Sequence, residues 1–185
     1  GTACSTPPRG ALVDQVGNPV SAGSPRRVVA LAPAVTEIAC AVGACDRLVA
    51  VSTTSNYPAQ ALPRPRIGGS DVEAIIAHQP DLVLATTAGN DPRVVDRLQA
   101  LGMSVCTFDV TSLARLSEGV LLAGAVLGRS DTAAELAGVL DRRIAAARDR
   151  AARLPRRTAL FVVWWEPLIV AAPGTFHDDL LRHAG

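Results

Sequence analysis

The side chains of this sequence that could do chemistry fall into three groups, and the first is thin. The three histidines are His78, near a helix end, and His177 and His183, close together in the final segment. His177-Asp178-Asp179 has the composition of a metal site. However, adjacent helical residues do not face one another, and a solvated helix start with Asp at the positive end of the dipole accounts for them. No Ser or Cys sits in a nucleophile elbow, and neither a GxGxxG fingerprint nor a P-loop is present. The sequence therefore assigns no catalytic residue and no metal ligand.

The second group is larger. Ala32–Val35, Thr53–Pro58, Thr86–Asn90 and Trp164–Pro167 carry small residues, hydroxyls, the one tyrosine and both tryptophans. They hold almost no charge and no histidine. Surfaces of that kind suit a large, mostly neutral organic ligand better than proton transfer. A metal-chelate enzyme, such as a chelatase, would need a His or carboxylate pair converging on the same loops, and these stretches supply none.

The third group is the four cysteines, Cys4, Cys40, Cys45 and Cys106. None has CxxC spacing. Cys40 and Cys45 flank Gly43, where a chain folding back either brings them into bridging distance or leaves two small buried thiols. Ala3-Cys4, at the head of the Ser/Pro-rich start GTACSTPPRG, has the look of an acylated lipoprotein cysteine. An untethered tail carrying a free thiol is the other reading, since Gly1 stands where such signals usually place Leu.

Most of these loops follow short apolar runs. RVVAL (27–31), RLVAVS (47–52), DLVLAT (81–86) and MSVCTFDV (103–110) read as strands buried on both faces. Between them run helical stretches: one ending at Gly43, one from Asp71 to Pro80, one N-capped by Asn90 or Asp91 with Pro92 in its first turn, and Thr111–Leu127. The alternation predicts an α/β fold with a parallel sheet covered on both sides, and ligands in such sheets sit at the carboxyl ends of the strands. Ser70-Asp-Val-Glu73 reads as a capping box, with Glu73 reaching back to the Ser70 amide.

The rhythm then changes. Ser130–Pro155 is one long helical run, roughly 35 Å at ~1.5 Å per residue, with an apolar stripe of Ala133, Leu136, Leu140 and Ile144. It serves either as a rigid spacer between lobes or as a helix packed on the sheet. After it come one strand, RTALFVVWW, and one helix, TFHDDLLRHAG, too little to close a second lobe. Strand alternation sends the two tryptophans to opposite faces, so Trp164 is expected to pack a lobe and Trp165 to face the cleft. The expected divisions are 1–25 (tail and lead-in), 26–129 (first lobe), 130–155 (linker helix) and 156–185 (the start of an incomplete second lobe).

Composition limits the partners. The 185 residues carry a net charge of +1, with every basic residue an arginine and none a lysine. The arginines are scattered rather than striped, which argues against a nucleic-acid surface. We read their exclusive use as compositional bias. No apolar run reaches the ~18 to 20 residues of a membrane span.

Three stretches, RRVVALAPAVTEIACAVGACDRLVAVSTTSNYP, DVEAIIAHQPDLVLATTAGN and VVDRLQALGMSVCTFDV, together resemble the cobalamin-binding type of periplasmic substrate-binding protein of ABC importers. The resemblance runs in consistent order from about Arg26 to Gly185, and DQVGNPV (14–20) is similar to that family's lead-in strand. It implies two Rossmann-like parallel-sheet lobes joined by a single long helix, here with the second lobe incomplete. It also implies capture of a corrinoid between the lobes, delivery to a permease and its ATPase, and a place in the periplasm or on the outer face of the cytoplasmic membrane. The metal chelate would be cargo, not cofactor, and a lipid on Cys4 would be the only contact with membrane. Carried over residue by residue, the ligand contacts fall on Ala34, Thr54, Tyr57 and Thr86, and the first-lobe permease-docking glutamate on Glu73. Trp165 is added from strand geometry. A cobalamin binder of this type has aromatics where this chain has Thr54 and Thr86, which reduces stacking on a corrin and keeps haem and iron-siderophores as alternative ligands.

Overall fold

The computed structural model describes residues 12–185, and the Cys4 expectation lies outside them. The first lobe runs through β1 (Val28–Ala30), α1 (Pro33–Ala41), β2 (Leu48–Ser52), β3 (Arg66–Ile67) and α2 (Val72–Ala77). It continues with β4 (Leu82–Thr86), α3 (Pro92–Ala100), β5 (Val105–Phe108) and α4 (Leu113–Leu127). Its five strands are all parallel, in the order β3-β2-β1-β4-β5. The sheet is buried on both faces, as the unbroken apolar runs require. One face packs α1 and α4 through Val35, Ala39, Val42, Val120, Ala123 and Leu127. The other packs α2 and α3 through Ile75, Val94, Val95 and Leu98. Each fully buried Leu or Val contributes about 1.5–3 kcal/mol over its exposed state.

Two of these elements differ from the sequence expectation. The strand β3 was not anticipated: Arg66-Ile67 is two residues long and follows Pro63 and Pro65, so it shows no alternation to read. The capping box is replaced by a simpler cap. Asp71, not Ser70, is the N-cap of α2, and its Oδ1 accepts from the Ala74 amide at 2.9 Å. That register puts Glu73 one position short of the reach a capping box needs, and it stands exposed in the first turn.

The lead-in belongs physically to this lobe. Leu12–Val20 folds back on itself and covers the free edge of β5. The Gln15 amide donates to the Thr107 carbonyl at 3.1 Å, and buried Asp14 accepts from the Thr107 amide at 3.0 Å through Oδ2. Asp14 Oδ1 also takes the Val16 and Asn18 amides, so this buried carboxylate is well supplied with donors. An edge strand that would otherwise invite pairing is thereby occupied.

The long helix α5 (Ser130–Ala151) has 22 residues, about 33 Å at 1.5 Å per residue. Its first half is packed, not free-standing. Ala133 and Ala137 are buried against α4, and Asp141 accepts a 2.6 Å bond from Ser117. Gly124 makes this approach possible, because a Cβ there would clash with the Ala133 methyl. From Asp141 the helix is mostly exposed until Ala151. Its first half is thus packed on the lobe, while its second half stands clear of it.

Beyond it lie β6 (Val162–Trp164), β7 (Ile169–Val170) and α6 (Phe176–Ala184). The two strands form an antiparallel ribbon, with Val162 opposite Val170 and Trp164 opposite Ile169. The ribbon is exposed throughout. In particular Trp164, expected to pack a lobe, is 63% exposed, and the turn after it instead takes its indole N–H onto the Glu166 carbonyl at 2.9 Å. Within the described residues nothing covers this ribbon. By contrast α6 is docked: Asp179 Oδ2 accepts from the Leu113 amide at the start of α4, at 2.8 Å. The aspartate read as a solvated helix start thus links this last segment to the first lobe. Its neighbour Asp178 is held below its ordinary carboxylate value, first by the Gly174 amide and then by Arg182.

Candidate functional site

The strand order fixes where a site can be. From β1 the chain turns to one face of the sheet through α1, and from β4 to the other face through α3, so the loops after these neighbouring strands diverge. Ligands of doubly wound sheets bind at such a switch point, outside the carboxyl ends of the strands. Here the crevice is laced shut at its floor by a single side chain. Asn90 Nδ2 donates to the Leu31 carbonyl at 3.0 Å, and Asn90 Oδ1 accepts from the Thr86 amide at 2.9 Å. Gly69, after β3, lies against this bridge: a Cβ there would come 3.1 Å from Asn90 Nδ2 and 3.3 Å from the Leu31 carbonyl oxygen. A ligand is accordingly presented with a closed floor to lie over, not a slot to enter.

A second lattice joins α1 to the loop after β2. Thr36, in the first turns of α1, donates to the Ala32 carbonyl and shares a 2.9 Å bond with Ser55. Ser55 is 2.8 Å from Ser52, which is 3.2 Å from Thr54. Thr36, Ser52 and Ser55 are all buried. Buried hydroxyls are costly unless paired, and a paired chain of them fixes one geometry. Among the described residues no side chain caps the first turn of α1, which leaves the amide of exposed Ala34 available as a donor.

Of the expected contact residues, Ala34, Thr54 and Tyr57 are exposed at this carboxyl end and are brought into one neighbourhood by the hydroxyl lattice. Tyr57 is 63% exposed and precedes a cis proline. Thr86 is less accessible than these three. It is 6% exposed, and its Oγ1 turns back to accept from the Ala88 amide at 3.3 Å. The accessible surface of that loop belongs instead to Thr87, Ala88 and Gly89, with Thr87 held by a 2.6 Å bond to Asp109. Trp165 stands apart on the β6–β7 turn, 78% exposed, and no hydrogen bond among the described residues joins it to the first-lobe loops. Glu73 lies on α2, exposed.

Sequence reasoning missed Asn90 as a lacing residue, the Thr36–Ser55 link and Arg66. Arg66 lies over the β2 loop and donates to the Ser55 carbonyl. The Cys40 and Cys45 sulfurs are bonded to each other across the turn that follows α1. Cys106 is the free cysteine of the described residues, and burial pushes its thiol far above the usual range, so it is chemically inert at neutral pH. Among the described residues no group of three His, Cys, Asp or Glu is placed to hold a metal ion. No helix there is long and apolar enough to cross a membrane.

Comparison with known proteins agrees with this architecture. A vitamin B12-binding protein of Yersinia pestis (strain Pestoides F) is 31% identical over 162 residues, covering 86% of this chain and 58% of that protein. The crystal structure of the periplasmic vitamin B12 binding protein BtuF of Vibrio cholerae superposes with a TM-score of 0.81 at 29% identity, over 87% of this chain and 64% of that one. A periplasmic haem-binding protein of Pseudomonas aeruginosa gives a TM-score of 0.76 at 27% identity, over 87% and 61% respectively. The chain thus spans about three-fifths of the length of these relatives. The family model described as periplasmic binding protein matches residues 28–185, and with the parallel sheet, the long helix and the strand-end mouth in place, the chain belongs to the periplasmic binding protein family.

Proposed function

We propose that this chain captures a corrinoid, a vitamin B12-like ligand, between the mouth of its first lobe and the segment beginning at residue 156. It then hands the ligand to the permease and ATPase of an ABC importer on the outer side of the cytoplasmic membrane. The observation that carries this reading is the character of the mouth: a closed floor laced by Asn90 and rimmed by Ala34, Thr54, Tyr57, Thr87 and the uncapped first turn of α1. Such a rim offers hydrogen bonds and apolar contact to a broad neutral ligand and no acid–base pair for turnover, so the protein works by binding and release. Trp165 supplies the facing aromatic from the β6–β7 turn. Glu73, exposed on the α2 start, meets a basic surface of the permease.

Isothermal titration of the 185-residue chain with cyanocobalamin, haemin and a ferric siderophore tests the ligand. Heat with cyanocobalamin supports the reading, and heat only with haemin or the siderophore replaces the corrinoid while keeping the class. Haem is the second reading, favoured by one feature: the exposed phenol of Tyr57 is an oxygen able to ligate haem iron. A change in the haem absorption bands that is lost in Tyr57→Phe decides for it. For docking, Glu73→Arg is expected to reduce uptake in cells while leaving ligand affinity unchanged, and unaltered uptake refutes the docking role.

A further inference from the structure

The loop Thr53–Tyr57 carries two of the proposed ligand contacts, and it is held from two sides by different chemistry. On its inner side is the buried hydroxyl lattice of Thr36, Ser55 and Ser52. On its outer side is Arg66. Its Nη1 donates to the Ser55 carbonyl and lies 3.4 Å from the Ser52 carbonyl oxygen and 3.5 Å from that of Thr53. A tight reversal turns several carbonyls outward together, and each needs a partner. All three contacts fall on this one terminal nitrogen, whose two N–H groups serve the carbonyl cluster, with Ser55 the nearest.

The backbone of Arg66 is fixed independently. Arg66 pairs with Val51 and Ile67 with Ser52, and the main-chain bonds from Val51 to Pro65 and from Thr53 to Ile67 bracket it. The two-residue strand β3 thus sets the arginine opposite the point where the loop leaves β2. Arg66 is itself exposed and belongs to neither core cluster. Removing its head leaves the sheet ladder and the core as they are.

The geometry points to Arg66 as the positioning residue of the ligand-contacting loop. By holding the Ser52, Thr53 and Ser55 carbonyls it sets the direction in which Thr54 and Tyr57 meet the ligand. This rests on the loop being the ligand contact proposed above. Arg66→Met keeps the apolar stem and removes the donors, and Arg66→Lys restores a cation on a shorter side chain.

The test combines residue-resolved amide hydrogen exchange with titration of the full 185-residue chain by cyanocobalamin and by haemin. The Ser55 amide, bonded to the Ser52 carbonyl at 3.0 Å, is the reporter, and the β4 amides are the internal control. Loss of a charge-assisted bond predicts Ser55 exchange about tenfold or more faster in Arg66→Met, with β4 unchanged, and affinity for whichever probe binds about tenfold weaker. Arg66→Lys is expected to recover part of both. Unchanged Ser55 exchange overturns the proposal, and so does faster exchange with unchanged affinity. If neither probe binds the unaltered chain, the ligand reading falls. The exchange rates alone then uphold or overturn the hold of Arg66 on the loop.

Discussion

Replacing Asn90 with alanine isolates the energy of the laced switch point. The change removes the acceptor of the Thr86 amide (2.9 Å) and the donor to the Leu31 carbonyl (3.0 Å). Thr86 and Leu31 are 6% and 3% exposed, so water does not readily replace either bond. An unsatisfied buried group costs about 1–3 kcal/mol, giving a total of about 2–6 kcal/mol for the pair. For a chain of this size that lowers the melting temperature by roughly 4–24 °C, measurable by circular dichroism. Asn90→Asp refines the test. The introduced carboxylate keeps the bond from Thr86 but sets a negative oxygen against the Leu31 carbonyl, so the folded state favours the protonated acid and raises its pKa. The variant is therefore least stable at neutral pH and recovers as pH falls through that raised pKa, where the acid regains a donor. Asn90→Ala melting within about 2 °C of the parent would refute the lacing argument.

Gly124→Val should push α5 off α4 by forcing a branched side chain onto Ala133; overpacking of this kind costs about 1–3 kcal/mol, read as a lower urea midpoint. Cys40→Ser with Cys45→Ser opens a loop of sequence separation 5 and is expected to cost about 2 kcal/mol by chain entropy. Dithiothreitol should lower the parent's urea midpoint by the same amount and leave the variant's unchanged. Asp178 has its folded pKa depressed by the Gly174 amide and Arg182, so its contribution is present above the unfolded carboxylate pKa and is lost as pH falls through the folded value. Protection of the amides at the start of α6, taken relative to their intrinsic exchange rates, should accordingly fall on acidification in the parent and show less pH dependence in Asp178→Asn.

The first lobe was legible because a parallel sheet covered on both faces writes itself as uninterrupted apolar runs, and DLVLAT and RLVAVS could be little else. Pro92 and Asp91 announced the start of α3 for equally local reasons. What stayed hidden depends on contacts between distant residues. Thr36 and Ser55 are 19 positions apart, and Asn90 and Leu31 are 59 apart, so spacing says nothing about either pair. The strand β3 is shorter than one period of alternation. The α2 cap moved by one residue because Asp71 competes with Ser70 for the same role, and local preference does not separate the two. Thr86 was carried over as a ligand contact by resemblance, which does not show that its hydroxyl closes the turn of its own loop. The arginines, read as compositional bias, turned out to have structural work. Arg27, Arg47, Arg64, Arg66, Arg115 and Arg129 all donate to main-chain carbonyls at loop and helix ends.

The bond from the Leu113 amide to Asp179 has a mechanical consequence. A helix alone joins two bodies as a rod, about which the second can twist. A second attachment off the rod axis removes that twist, because a hydrogen bond tolerates only a few tenths of an ångström before it weakens steeply. Rocking of α6 against α4 is therefore limited to what the bond allows or else breaks it outright, so the motion is a step and not a continuum. A ligand that seats with the bond intact spends little free energy on rearranging this junction, and its residence time is then governed by the contacts it makes.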